Sequence, residues 1–194
     1  AATNNIADLI KADIIFIAVP SSQIKGIIKT TLFLNTKVLI VNLSKGMFTE
    51  GNTIVDFLKK KLKSNNIITM KGGTFSEEIM NNLPSLFTLG YDTLEQHSII
   101  KKIINNTNIY IDYTTDIRGV ELLSVLKNIY AILLGIIDAK YNSANTRFML
   151  LTKSFSEIRL LLVALGGHQD TLFLSAGYGD FGLTALNDLS RNRT

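Results

Sequence analysis

The first half of the chain alternates short apolar runs with stretches of helical periodicity. Residues 14–19 and 38–43 are almost continuously apolar and rich in β-branched side chains, which is typical of parallel strands buried on both faces. Weaker strand candidates lie at residues 67–70, 86–89 and 108–111, and helical candidates at residues 22–30, 53–63 and 93–105. This alternation predicts βαβ crossovers and a mostly parallel sheet.

The pattern changes at about residue 114, after which no strand is predicted. Residues 117–139 form a long helix candidate with apolar positions nearly all round, so this helix is expected inside a helical region. Residues 145–166 and 170–175 continue the helical half, and Gly166-Gly167 is a plausible helix stop. We therefore predict two units, an α/β unit at residues 1–113 and an all-α unit at residues 114–194.

Composition narrows the class of protein. A chain of 194 residues with 46% hydrophobic positions is long enough for one large or two small domains and too apolar for a disordered protein. Its net charge of +4 suits a small anionic ligand but lacks the basic stripe of a nucleic-acid binder. The absence of cysteine excludes disulfides, thiolate zinc sites and thiol nucleophiles.

Hydropathy favours a soluble protein. The longest charge-free helical run, residues 128–137, is about half of the ~20 apolar residues that a membrane span requires. No secretory signal is recognisable at the start of the chain. We expect a cytoplasmic protein with no membrane span and no nucleic-acid partner.

The first strand is not followed by a dinucleotide-binding turn. An α/β domain that binds a dinucleotide normally opens with a strand, Gly-x-Gly-x-x-Gly and a helix, because the glycines let the backbone approach the pyrophosphate. Here the strand at residues 14–19 leads into Pro20-Ser21. The chain is therefore expected to begin in the middle of a sheet.

Lys127 is the most informative single residue, because it lies in the centre of the apolar segment 120–132. An unpaired buried ammonium costs several kcal/mol, so this lysine must be paired, reach water or face a polar cavity. The ordinary interpretation is an ion pair or a lysine whose stem packs while its head is solvated. The functional interpretation is a lysine with a lowered pKa that donates and accepts a proton near neutral pH.

Four further segments carry candidate chemistry, and three of them also have an ordinary alternative. Lys45-Gly46 follows the second strand, at the carboxyl edge where α/β sheets bind ligands, although many surface turns contain Lys-Gly. The segment 72–78 offers backbone N–H groups to an anion, or is a helix start capped by Thr74 with Glu77 at the third position. The segment 177–180 is interpreted as flexible backbone delivering Asp180. The segment 190–193 supplies bidentate phosphate donors or is a solvated end.

Other catalytic classes lack support. His97 is interpreted as a helix-surface residue and His168 as a loop residue, with no second ligand at metal-binding spacing, so no metal site is predicted. Gly-x-Ser-x-Gly, His-Glu-x-x-His and a phosphate-loop lysine are all missing. Serine hydrolase, zinc protease and NTPase functions are therefore not indicated.

Taken in order, these segments resemble the NAD(P)-dependent glycerol-3-phosphate dehydrogenases. The resemblance runs from about residue 14 to the last residue, and its order and spacing make it specific. The matching segments are Ala18-Val19-Pro20-Ser21, Ser44-Lys45-Gly46, residues 72–78, Gly119-Val120-Glu121, Leu126-Lys127-Asn128, Asn145, Leu151-Thr152-Lys153, Glu157, residues 176–180 with Thr184, and Ser190-Arg191-Asn192-Arg193.

The resemblance implies a fold and a reaction. The fold would be a partial Rossmann-type sheet followed by a helical substrate domain similar to the C-terminal domain of 6-phosphogluconate dehydrogenase. The reaction would be reversible reduction of dihydroxyacetone phosphate to sn-glycerol 3-phosphate with NADH or NADPH, which supplies a glycerophospholipid precursor. The implied partner is a small phosphorylated substrate, and a homodimer is possible.

The resemblance also implies a role for each matching residue. Lys127 would be the general acid at the C2 oxygen and the base in the reverse direction. Lys45 would hold substrate, touch the cofactor and help depress the pKa of Lys127. The residues implied to orient the substrate oxygens are Asn128, Asp180 and Thr184; those at the phosphate end are Gly72, Thr74, Ser190, Arg191 and Asn192; and those that also touch the dinucleotide are Ser76 and Arg191.

The chain departs from the family pattern in several places. Gly73 replaces a proline, Lys153 replaces an arginine and Ser76 replaces an alanine. The family has a glycine-rich βαβ unit before residue 14 and further helices after residue 193, so the chain is expected to be an internal fragment with negligible dinucleotide affinity and no activity alone. The alternatives are another two-domain reductase, of the 2-hydroxyacid or ketopantoate type, and a non-catalytic phosphate-binding or assembly fragment.

Overall fold

The computed structural model describes residues 2–31, 37–48 and 51–186. Five strands form one sheet in the order β1-β2-β3-β4-β5. Strands β1 to β3 are mutually parallel, β4 runs antiparallel to β3, and β5 is parallel to β4. The predicted mostly parallel sheet is therefore confirmed. The strands are β1 (Ile14–Ile17), β2 (Leu39–Asn42), β3 (Ile67–Lys71), β4 (Ser85–Gly90) and β5 (Ile109–Thr114).

Within the described residues, seven α-helices surround and follow the sheet. They are α1 (Ser21–Thr31), α2 (Ile54–Leu62), α3 (Ser76–Met80), α4 (Leu94–Ile104), α5 (Ile117–Tyr141), α6 (Ala144–Ala164) and α7 (Asp180–Leu186). Two short 3₁₀ segments, Ile6–Lys11 and Gln169–Phe173, and one π-helical turn, Ser175–Gly179, complete the described elements. Helices α2 and α4 each begin with a capping box, in which a threonine and the residue three positions later satisfy each other's backbone N–H groups.

The centre of the sheet is buried on both faces, whereas its edge strands β1 and β5 are partly exposed. The prediction of a strand buried on both faces at residues 14–19 is therefore wrong, because β1 lies at the edge of the sheet and Phe16 is 43% exposed. Every residue of β2 and β3 is buried. On one face Ile40 and Ile67 pack with residues of α1 and α2, including Leu58. On the other face Val41 and Leu89 belong to a second cluster, which contains residues of α4. Strands covered in this way cannot show polar and apolar alternation.

Helix α5 joins the sheet to the helical half. Its first residue, Ile117, packs in the cluster on one face of the sheet, and its later leucines pack with α6 and α7. By length and composition alone α5 is apolar enough to cross a membrane, but 56% of its most apolar window is buried inside the structure. Among the described residues, helix α5 is thus a core helix that packs against both the sheet and the later helices.

The end of α6 agrees with the sequence prediction, and the start of α3 does not. The predicted stop at Gly166-Gly167 is confirmed, because α6 ends at Ala164 and Gly166 takes a left-handed φ of +87°. The alternative prediction that Thr74 caps a helix is wrong, because Phe75 is the cap residue of α3 and no side chain caps it.

The prediction of flexible backbone at residues 177–180 is also wrong. These residues form a tightly packed helical turn that leads directly into α7. A Cβ atom on Gly177 would lie 2.2 Å from the Leu172 carbonyl oxygen, so the chain closes on itself at this glycine. The glycine allows close packing here rather than movement.

Candidate active site

Two lysines from different parts of the fold meet on one carboxylate. The Lys127 Nζ atom donates to Asp180 Oδ1 at 2.6 Å and to Thr184 Oγ1 at 3.0 Å. The Lys45 Nζ atom donates to the other oxygen, Asp180 Oδ2, at 2.5 Å. Asp180 therefore bridges the two ammonium groups and holds them close together.

Three elements position these side chains. Lys45 lies in the turn after β2, Lys127 lies near the middle of α5, and Asp180 and Thr184 lie one helical turn apart on α7. The Thr184 hydroxyl donates to the Asp180 backbone carbonyl at 2.7 Å, which leaves its oxygen free to accept from Lys127. The site thus lies at the junction between the carboxyl edge of the sheet and the helical half.

Burial sets the electrostatics of this cluster. Lys127 is 7% exposed and Asp180 is 3% exposed, whereas a third of the Lys45 side chain reaches the surface. Burial lowers the pKa of Lys127 to about 8; the Asp180 carboxylate opposes this shift, and the Lys45 ammonium adds to it. Lys127 is therefore ion-paired, as its ordinary interpretation requires, and is also able to exchange a proton near neutral pH.

The turn between β3 and α3 closes one side of the cluster. A Cβ atom on Gly73 would lie 2.7 Å from the Asp180 Cα atom and 2.8 Å from the Gly179 carbonyl oxygen. Gly72 is equally confined, because its Cβ would lie 2.6 Å from the Leu86 carbonyl oxygen. Only glycine permits this close approach of backbone to backbone, so the turn is pressed directly against the start of α7.

The remaining predicted site residues divide into three groups. Thr74 is half-buried in the β3–α3 turn, and Ser76 is exposed at the start of α3. Asn128 is half-buried beside Lys127 and donates to the Ser124 carbonyl at 3.3 Å. The predicted phosphate-end and cofactor residues Ser190, Arg191 and Asn192 lie outside the described residues.

The structure adds a buried ion pair that the sequence pattern did not single out. Lys71 at the end of β3 and Glu121 on α5 lie next to the Lys45 turn, with Lys71 Nζ 3.0 Å from Glu121 Oε1. A charged residue directly after the strand predicted at residues 67–70 was the available signal for Lys71. An acidic residue within the apolar segment 120–132 was the corresponding signal for Glu121.

The spacing Gly177-x-Gly179-x-x-Gly182 matches the dinucleotide fingerprint only in letters. In the structure these glycines follow the 3₁₀ segment Gln169–Phe173 and not a strand. Gly177 packs against the Leu172 backbone, and Gly179 packs against the Ser175 side chain. This segment therefore lacks the strand-to-helix turn that cradles a pyrophosphate.

The described residues offer two accessible polar side chains to one end of a nicotinamide dinucleotide. The side chains of Lys45 and Ser76 are accessible at the carboxyl edge of β2 and β3, the edge where sheets of this type bind dinucleotides. A strand followed by Gly-x-Gly-x-x-Gly, the turn that would hold the pyrophosphate, is not found among the described residues.

A mostly parallel sheet that continues into a helical region is a Rossmann-type fold joined to a set of helices. Comparison with protein-family models narrows this class. The model for the NAD-dependent glycerol-3-phosphate dehydrogenase N-terminus matches residues 1–97, and the model for the C-terminus matches residues 116–194. The chain belongs to the NAD-dependent glycerol-3-phosphate dehydrogenase family.

Individual relatives agree with this family. Glycerol-3-phosphate dehydrogenase [NAD(P)+] from Methanothermobacter thermautotrophicus is 31% identical over 95% of this chain and 57% of its own length. The protein of the same name from Fusobacterium nucleatum is 30% identical over 98% of this chain and 58% of its own. The crystal structure of glycerol-3-phosphate dehydrogenase from Coxiella burnetii is 28% identical, with a TM-score of 0.88 over 96% of this chain and 58% of its own. The chain thus spans somewhat more than half the length of these relatives.

Proposed function

We propose that the full-length protein carrying this chain reversibly reduces dihydroxyacetone phosphate to sn-glycerol 3-phosphate with NADH or NADPH. The observation that carries the proposal is the buried Lys127, whose Nζ donates hydrogen bonds to Asp180 and Thr184 and whose pKa is lowered to about 8. A lysine held in this way can supply and recover one proton at a carbonyl oxygen at the pH of a cell. Family membership supports the choice of substrate.

Lys127 performs the proton transfer in this proposal. The bound cofactor supplies a hydride to the C2 carbon in the direction of reduction. The Lys127 ammonium donates its proton to the C2 oxygen as negative charge develops there, and in the reverse direction the neutral amine takes the proton back. Asp180 and Thr184 keep Nζ in place in both protonation states, because each offers an oxygen to the remaining N–H groups.

Lys45 binds the substrate and contributes its charge to the site. Its ammonium is partly exposed and fixed by Asp180, so one side remains available to a substrate oxygen. Because this charge also lowers the pKa of Lys127, Lys45 makes Lys127 a stronger acid. Asn128, next to Lys127 on α5, orients the substrate beside these two lysines.

We propose the remaining contacts from the family pattern. The substrate phosphate is held by Gly72, Thr74, Ser190, Arg191 and Asn192, and the cofactor touches Lys45, Ser76 and Arg191. We also propose that residues 1–113 belong to the cofactor domain and residues 114–194 to the substrate domain, since β5 ends at Thr114 and α5 begins at Ile117. We propose a cytoplasmic location for the protein, and the homodimer stays a prediction that light scattering on the full-length protein would check.

The proposal is tested by a side-by-side substrate assay on the full-length protein. We expect NAD(P)H oxidation with dihydroxyacetone phosphate to have a kcat/KM at least about a hundredfold above that with ketopantoate or pyruvate, because only dihydroxyacetone phosphate offers a phosphate to the proposed phosphate-binding residues.

Lys127→Met is expected to abolish turnover without lowering the thermal unfolding temperature by more than a few degrees. Lys101→Met, on the exposed face of α4, is the matched control and is expected to retain full activity.

Two results would contradict the proposed reaction. Equal or better turnover of ketopantoate or pyruvate would assign the protein to another class of two-domain reductase. Protection against thermal unfolding by glycerol 3-phosphate without any reductase activity would indicate a non-catalytic phosphate-binding protein.

A further inference from the structure

Lys71 is a fully buried lysine outside the proposed catalytic cluster. It is the last residue of β3 and is 1% exposed, and it is among the largest fully buried side chains of the described part of the chain. Lysine is almost never buried to this extent unless its ammonium is paired. Lys71 lies at the carboxyl edge of the sheet, next to the turn that carries Lys45. The presence of a buried lysine at this position therefore needs an explanation.

The Lys71 ammonium has three acceptors for its three N–H groups. It donates to the Asn42 carbonyl at 2.9 Å, to the Ser44 carbonyl at 2.8 Å and to Glu121 Oε1, which lies 3.0 Å away. The two carbonyls belong to the end of β2 and to the residue directly before Lys45. All three N–H groups of Lys71 are therefore used, and two of them hold the backbone that leads into Lys45.

Glu121 connects the same network to α5. Its Oε1 atom also accepts from Asn42 Nδ2 at 2.9 Å and from the hydroxyl of Thr69, and its Oε2 atom accepts from the Val55 backbone N–H at 3.4 Å. Asn42, Thr69 and Glu121 are each at most 1% exposed. Helix α5 is thereby fastened to the ends of β2 and β3, and this is the helix that carries Lys127 further along.

The electrostatics agree with this geometry. Burial lowers the pKa of Lys71, and the Glu121 carboxylate opposes that shift. Lys45 and Asp180 also act on Lys71, with opposite signs. Lys71 is thus close enough to Lys45 and Asp180 for their charges to interact electrostatically.

We propose that Lys71, paired with Glu121, is a positioning residue that sets the Lys45 turn against α5, so that Lys45 and Lys127 meet on the Asp180 carboxylate. Lys71 acts through Lys45 and does not touch the substrate. This inference rests on the proposed function, because its consequence is measured in the reductase reaction.

A double-mutant cycle on the full-length protein tests whether Lys71 acts through Lys45. Lys71→Met is expected to lower kcat/KM for dihydroxyacetone phosphate by about tenfold in the wild-type background. In the Lys45→Met background the same change is expected to lower kcat/KM by less than about twofold, since the group that Lys71 positions is already gone. Lys59→Met, which breaks the partly exposed pair with Asp92, is the matched control and is expected to change kcat/KM by less than about twofold in either background.

Equal factors in the two backgrounds would overturn the inference, because a merely structural lysine would weaken both enzymes alike. If Lys71→Met alone does not fold, the neutral pair Lys71→Met with Glu121→Gln replaces it in the cycle, because it leaves no unpaired buried charge. A double variant with wild-type kcat/KM would equally overturn the inference. Failure of the proposed function is distinguishable, since it would show as a wild-type protein without reductase activity.

Discussion

At the scale of single residues, the site depends on how one carboxylate is shared. Asp180 is 3% exposed and accepts from two lysines, so the cluster carries one more positive than negative charge when both lysines are protonated. A buried excess of positive charge favours loss of a proton from the more buried lysine, which is Lys127. The same excess attracts a phosphorylated substrate.

Removal of the Lys45 charge is expected to raise the pKa of Lys127, because Lys45 is one of the groups that lowers it. The protonated form of Lys127 is the acid in reduction, so Lys45→Met is expected to move the alkaline fall of kcat/KM to higher pH, while substrate binding weakens. The measurement is the pH dependence of kcat/KM for reduction in the full-length protein, with Lys59→Met as the control. An unchanged midpoint in Lys45→Met would show that the two lysines are not coupled.

Sequence patterns indicated single candidate residues such as Lys127, but they did not indicate which residues those candidates contact. Lys127 was recognisable because a lysine within apolar residues 120–132 must be paired or functional. Its carboxylate lies on α7, far along the chain, and no periodicity relates the two positions. Lys71 was not predicted as a site residue, because a charged residue directly after an apolar run is also typical of a strand that ends at the surface. The backbone carbonyls that accept its hydrogen bonds have no signature in a sequence.

At the scale of elements, backbone contacts determine how the turns meet. Asp116 caps α5 by accepting from the Gly119 N–H at 2.8 Å, and its other oxygen accepts from the His168 N–H at 2.8 Å and the Thr171 hydroxyl at 2.6 Å. One carboxylate thus fixes the start of the core helix to the segment that leads towards α7. The helices and strands themselves were predictable from apolar periodicity, whereas this cap and the tight turn at residues 175–179 depend on tertiary contacts.

Gly73→Ala is expected to separate the β3–α3 turn from α7. The added Cβ would lie 2.7 Å from Asp180 Cα and within 3 Å of two further backbone atoms, and backbone cannot rotate away as a side chain can. A displaced Asp180 would misplace Lys127, so kcat/KM is expected to fall by up to about a hundredfold. The measurement is steady-state kinetics on the full-length protein.

Gly26→Ala on α1 is the matched control for this substitution, because an added Cβ there meets nothing within 4 Å. It is expected to leave kcat/KM unchanged. Full activity in Gly73→Ala would show that the contact between the turn and α7 does not position Asp180.

At the scale of the whole molecule, the proposed active site belongs to neither half alone. The sheet contributes Lys45 through the turn after β2, and the helical half contributes Lys127 and Asp180. Helix α5 passes from the sheet cluster into the helical cluster and carries both Glu121 and Lys127. The change of pattern near residue 114 therefore marks the change from sheet to helices, and the proposed active site lies where these two parts meet.

The central claim is that Lys127 transfers the proton, and the pH dependence of kcat/KM in both directions tests it most directly. In the wild-type full-length protein the reduction of dihydroxyacetone phosphate is expected to fall as pH rises through about 8, while the oxidation of glycerol 3-phosphate rises over the same range. In Lys127→Met this titration is expected to disappear, together with nearly all turnover. A Lys127→Met protein that keeps near-wild-type kcat/KM with the same pH dependence would contradict the account.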